Sequence, residues 1–171
     1  MTAERTMLFI DGSNLFHSTK DFDPGLKIDL LRLRDFLAKD RLLIRAYYYG
    51  SIPIGNPEKI AKQTAFHHLL EYSGFKTVIL PLRRRGTEYV EKGVDVSLVT
   101  DMLALGFDRA YECGILVAGD ADYVRAIQEV ERKGIRIHVA FYDPPLCAGD
   151  LRRAAHSFVS LNKHLEEFRK S

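Results

Sequence analysis

Hydrophobic residues in this chain fall into short apolar runs separated by segments of helical periodicity. The runs Thr6 to Ile10, Leu42 to Tyr49, Phe75 to Leu82 and Glu112 to Ala118 read as strands, and the alternation Ile135-Arg136-Ile137-His138-Val139 makes a fifth. Between them the spacing predicts helices. A short one covers Asn14 to Lys20, and Asp29 caps a second in which Leu30, Leu33, Phe36 and Leu37 recur on one face. Pro57 opens a third that runs to about Tyr72 and stops at Ser73-Gly74, with proline at the start and glycine past the end. A helix from near Asp95 carries Val96, Val99, Leu103 and Leu105, and another spans Ala121 to Lys133 before Gly134. Beyond the break at Pro144-Pro145, Gly149 to His156 and Leu161 to Arg169 look helical, with Phe158 to Ser160 extended between them. This alternation predicts βα units around a mainly parallel sheet in an α/β fold. The polar stretch from Arg83 to Gly93 predicts a mobile loop or small hairpin over the binding crevice.

Composition narrows the class. At 171 residues, 46% hydrophobic and 28% charged, the chain suits one soluble globular domain over residues 1–171, with no repeat or linker. Apolar stretches are too short for a membrane span, and Met1-Thr2-Ala3-Glu4-Arg5 lacks the features of a signal peptide, so the expected location is cytoplasmic with no membrane partner. Cys113 and Cys147, without a CxxC or Cys/His cluster, support neither a disulfide framework nor zinc. Net charge is only +2, so an electrostatic case for nucleic acid rests on local clusters: Arg83-Arg84-Arg85, nearby Lys92, and Arg152-Arg153. A solvated face explains such clusters as readily as phosphate binding.

The chemistry concentrates in three acidic segments, Phe9-Ile10-Asp11-Gly12-Ser13-Asn14, Lys92-Gly93-Val94-Asp95-Val96 and Val117-Ala118-Gly119-Asp120-Ala121-Asp122. Asp11 and Asp120 follow apolar runs, which puts them where strands end, the usual binding edge of an open parallel sheet. Carboxylates gathered there repel one another unless a cation lies between them, and all-oxygen ligands suit a hard divalent ion such as Mg²⁺ or Mn²⁺. The leading expectation is a metal-dependent phosphodiesterase with Asp11, Asp95, Asp120 and Asp122 as catalytic ligands. Asn14 would bind phosphate or position a water, and Ser13, Lys92, Arg83, Arg84 and Arg85 would meet substrate. Helix capping competes at each site: Ser13 or Asn14 could cap the first helix, Asp95 the helix it begins, and one of Asp120 and Asp122 the next. P-loop, GxGxxG, GxSxG and HExxH patterns are absent. Adjacent His67 and His68 would lie about 100° apart on a helix and read as packing or surface residues. Tyr47-Tyr48-Tyr49 could stack on a base but more simply serves the core.

Together the three motifs, with Asp101-Met102 after the second, Tyr123 after the third and Gly134 before the next strand, resemble NYN domains. These are PIN-like nucleases, and the likeness is to their bacterial LabA-like group, over almost the whole chain. The resemblance implies a doubly wound sheet with helices on both faces, an acidic metal site at Asp11, Asn14, Asp95, Asp120 and Asp122, and metal-dependent cleavage of RNA. It leaves DNA open and is compatible with homodimerisation. His156 stands where related sequences often have an aspartate, so a site that uses that aspartate would be weakened here. Asp101, about 240° around the helix from Asp95, is not expected to share its metal. Two alternatives remain. One is a catalytically weak RNA-binding regulatory module using the arginine-rich loop. The other is a haloacid-dehalogenase-type phosphatase, which fits poorly because Asp11 is followed by Gly12-Ser13 and not by the Asp-x-Asp that chemistry needs.

Overall fold

The computed structural model of the chain describes residues 2–171. Strands β1 (Arg5–Asp11), β2 (Leu42–Ile52) and β3 (Phe75–Pro81) are followed by the two short strands β4 (Arg83–Arg85) and β5 (Glu88–Val90), then by β6 (Cys113–Val117), β7 (Arg136–Phe141) and β8 (Ser157–Ser160). Helices are α1 (Gly12–Phe22), α2 (Leu30–Leu37), α3 (Pro57–Tyr72), α4 (Val94–Phe107), α5 (Val124–Glu131), α6 (Gly149–Ala154) and α7 (Leu165–Phe168). Six strands form one sheet in the order β3-β2-β1-β6-β7-β8, every neighbouring pair parallel. The extended piece after His156 is thus a full edge strand. β4 and β5 pair separately as an antiparallel hairpin, which resolves the choice posed by the polar stretch from Arg83.

Alternation along β2 shows the two helical layers. Tyr48 packs its ring against Phe66 and His67 of α3, whereas Tyr47 stacks near Phe9 and Tyr49 reaches Asp101 of α4 on the other face. All three tyrosines are buried, as a core role requires. The fold is therefore a doubly wound α/β sheet. The chain runs outward from β1 to β3 and returns to place β6 on the other side of β1. That reversal between β1 and β6 is the switch point where open α/β sheets make their crevice. Met7 to Ile10 and Ile115 to Val117 are buried along both faces of the sheet, fixing the height at which Asp11 and Gly119-Asp120 emerge.

Several boundaries differ from the sequence expectation. α1 begins at Gly12, before Asn14, because Asp11 itself supplies the cap. The helix expected from Ala121 starts as a 3₁₀ turn, Ala121–Tyr123, and only then becomes α5. Leu161 to Arg169 is not one helix but a 3₁₀ turn, Leu161–Lys163, and the single-turn α7, interrupted at His164. Its backbone bonds go elsewhere: Asp29 N–H donates to Phe168 O and Lys170 N–H to Lys27 O, each at 2.8 Å, tying the tail to the segment before α2. Among the described residues no helix is long and apolar enough to cross a membrane.

Candidate active site

Asp11 ends β1 and is the N-cap of α1, its Oδ1 accepting from Asn14 N–H at 3.1 Å. This corrects the expectation that Ser13 or Asn14 fills that role. Its Oδ2 accepts from the Tyr123 hydroxyl at 2.7 Å, and the residue is 7% exposed. Burial pushes the Asp11 carboxyl above its ordinary range; the bonds from Tyr123 and Asn14 oppose that, and the charges of Glu91 and Asp95 add to it. Asn14 bridges the switch point, its Oδ1 accepting from Gly119 N–H at 2.6 Å. Its place is therefore to hold the β6 loop against the start of α1. Gly119 is required there, since a Cβ would overlap the Phe141 ring and come 2.7 Å from Leu146 O.

Asp120 caps the 3₁₀ turn by accepting from Asp122 N–H at 3.0 Å, which leaves the exposed Asp122 carboxylate without a capping duty. Asp95 lies in the first turn of α4, exposed, and accepts from Val96 N–H at 2.9 Å. The cap position of that helix belongs to Gly93, in the left-handed region at φ 90°, so Asp95 does not open its helix. Burial first, then the charge of Asp11 and its hydrogen bond, with smaller effects from Asp95 and Asp120, keep the Tyr123 phenol protonated. Tyr123 thus feels three of the four carboxylates and donates a hydrogen bond to one of them.

Glu91, just past β5, is the residue that sequence reasoning missed. The Ser13 hydroxyl donates to its Oε2, and the Ser51 hydroxyl donates to the same oxygen at 2.8 Å. Ser13, expected from sequence to meet substrate, is engaged with a carboxylate in this structure. No local signal separates Glu91 from the solvated Glu88; only the return of the hairpin brings it opposite α1 and β2. Arg83, Arg84 and Arg85 are exposed on β4, and Lys92 is exposed beside them. They line a shallow hollow of about 500 Å³ with Val90 and Glu91.

His156 and Asp101 both lie away from this cluster. His156 precedes β8 and donates its N–H to Ile137 O at 2.7 Å, at the amino-terminal edge of the sheet, opposite to the carboxyl ends that bear Asp11 and Asp120. A histidine there does not alter the charge of the acidic edge. Asp101 accepts from Tyr49 OH at 2.9 Å inside the α4 layer and is committed to that bond. His67 is buried beside Tyr48 and His68 is exposed, so they share no ligand.

Donor chemistry at this edge suits Mg²⁺ or Mn²⁺: the groups are carboxylate oxygens, one of them desolvated. Among the described residues, no three acidic, histidine or cysteine side chains converge closely enough to hold an ion as they stand. Each Asp11 oxygen accepts one hydrogen bond and keeps a further lone pair, and Asp95, Asp120 and Asp122 are exposed side chains with room to turn. The fit is therefore one of ligand type and charge, with Asp11 as the fixed member.

Comparison with known proteins agrees with this fold. The chain is 27% identical over 168 residues to the "Low amplitude and bright protein LabA" of Synechococcus elongatus, covering 92% of this chain and 84% of that protein. The crystal structure of a protein of unknown function from Vibrio parahaemolyticus superposes with a TM-score of 0.80 at 21% identity, covering 98% of this chain and 97% of the other, and shares the fold. Residues 5–162 match the NYN domain, a PIN-like and usually nuclease-related family, and the chain belongs to that family.

Proposed function

We propose that this protein is a metal-dependent endoribonuclease that hydrolyses RNA phosphodiester bonds, with Asp11, Asp95, Asp120 and Asp122 as ligands to Mg²⁺ or Mn²⁺. The observation that carries this reading is the condition of Asp11: a buried carboxylate at the switch point, raised by burial and by the charges of Glu91 and Asp95. Such a group is stabilised by a cation far more than a surface aspartate would be. A bound divalent ion supplies charge neutralisation at the scissile phosphate and activates water. The chain's own residues do the rest. Tyr123 and the Asn14 amide orient Asp11, the Asn14 side chain fixes the β6 loop that carries Asp120, and Lys92 with Arg83 to Arg85 attracts the phosphate backbone without reading bases.

The test is incubation with end-labelled single-stranded RNA and DNA in Mn²⁺, Mg²⁺ or EDTA, alongside Asp120→Asn protein prepared identically. Internal cleavage of RNA by the wild type alone, abolished by EDTA, is the expected result. A second reading, a regulatory RNA-binding module, is favoured by the carboxylates that do not converge and by the exposed arginine hairpin. RNA bound with strong salt dependence, unaffected by EDTA and uncleaved in Mn²⁺, selects it over the nuclease.

A further inference from the structure

We propose that the cavity between α1, β2 and α3 is a nucleotide subsite, which receives one unstacked base of a single-stranded substrate together with its phosphate. The cavity holds about 250 Å³ and is lined by Ser13, Phe16, Lys20, Tyr48, Ser51 and Gln63, among others. It opens beside the acidic edge, because Ser13 lies two residues beyond Asp11 and bonds to Glu91. The proposal rests on the nuclease reading for the direction of the strand, yet its own observations are separate.

Tyr48 is the central one. As a residue it is 4% exposed, yet its hydroxyl, which pairs with no other described residue, is not a buried atom and opens to the cavity that it lines. The ring is held in place by two glycines: a Cβ on Gly12 would overlap it, and one on Gly50 would come 2.9 Å from it. Asp-Gly at the end of β1 therefore does more than turn the chain; it seats a phenol that lines an open cavity. Gln63 adds an amide with both donor and acceptor, matching the edge of a base. Phe16, packed edge-on against Phe66 at 6.2 Å between centroids, offers a ring for stacking. Lys20 is exposed and has no acidic partner among the described residues, so it remains available to phosphate. Repulsion from Glu91 at the mouth keeps the phosphate at the Lys20 end.

Titration with 5′-AMP, GMP, CMP and UMP in EDTA, followed by amide shifts and calorimetry, tests the subsite without metal or turnover. Saturable binding of at least one nucleotide, with shifts around residues 13–20, 48, 51 and 63, is expected. Tyr48→Phe should weaken it roughly tenfold, the scale of one hydrogen bond. Lys20→Ala, a surface change, should weaken the nucleotide but not the matching nucleoside. No saturable binding to wild type, or binding unchanged in both variants, overturns the proposal. Nucleotide binding by a protein that never cleaves RNA would uphold the subsite and sink the nuclease reading; cleavage without nucleotide binding would do the reverse.

Discussion

The Tyr123 hydroxyl donates a 2.7 Å hydrogen bond to Oδ2 of Asp11, joining the loop after β6 to the end of β1 across the switch point of the sheet. Tyr123→Phe leaves a buried carboxylate oxygen without its donor. The expected loss of stability is about 1–3 kcal/mol by urea unfolding. The same change raises the Asp11 carboxyl further, so the pH at which Mn²⁺ binding begins should move upward. Calorimetric titration with Mn²⁺ between acid and neutral pH checks the direction; an unmoved onset would mean that Asp11 is not a ligand.

Asp11→Asn separates catalysis from stability. Asparagine caps helices as well as aspartate does, so α1 should keep its start. Because the folded Asp11 carboxyl titrates above its unfolded value, its contribution to stability is full below the unfolded value and is lost as pH rises through the folded one. The variant escapes that loss, so its stability should gain on wild type from acid to neutral pH, while RNA cleavage falls by about 100-fold or more. Urea midpoints across that pH range, with cleavage rates, measure both.

His138 gives the opposite sign. Burial first, then Arg41, His156 and Arg136, lower its imidazole to about 4. Stability from keeping it neutral is present above the ordinary value of 6.5 and is lost as pH falls toward 4. Allowing for its partial exposure, the loss is on the order of 1 kcal/mol. His138→Asn should flatten this part of the pH–stability curve.

Close approach makes two motif glycines intolerant of a methyl group. Gly12→Ala drives a Cβ into the Tyr48 ring, and Gly119→Ala drives one into Phe141 and Leu146 O. Each should cost about 1–3 kcal/mol in urea unfolding. Gly134→Ala meets no atom within 4 Å and, at φ 83°, costs only backbone strain of about 1 kcal/mol.

The role of the arginine hairpin is read through salt. Replacing Arg83, Arg84 and Arg85 with alanine should weaken RNA binding across sequences alike, and lower the slope of log K against log salt by about 0.7 for each phosphate that the hairpin no longer neutralises. Fluorescence anisotropy at several salt concentrations checks it, and an unchanged slope would free the hairpin from any phosphate role.

Much of the fold is legible in the sequence because local signals agree with it. Asp29 does cap α2, accepting from Leu31 and Arg32 N–H, and Pro57 with Asn56 starts α3 where proline and its preceding cap residue belong. Each is an interaction within a few residues, which a sequence can show. Local pattern misleads where backbone groups are claimed from afar: in the tail beyond Leu161, Phe168 O accepts from Asp29 N–H and Lys170 N–H donates to Lys27 O, so its helical spacing does not extend into one helix. The position of His156 is hidden for a related reason, since only strand direction tells which edge of a parallel sheet a residue occupies.

By itself the sequence determined the alternation of strands and helices, the aspartates at the ends of β1 and β6, and the family to which they belong. These follow from periodicity and from the turn chemistry of neighbouring residues. Tertiary structure alone decided the partners of those aspartates and their neighbours: Tyr123 on Asp11, Asn14 on Gly119, Glu91 on Ser13 and Ser51, and the unpartnered Tyr48 over Gly12. Those pairings join residues from about 35 to more than 100 positions apart. Only the packing of helices on the sheet brings such groups within reach of a hydrogen bond, and no local pattern carries that distance.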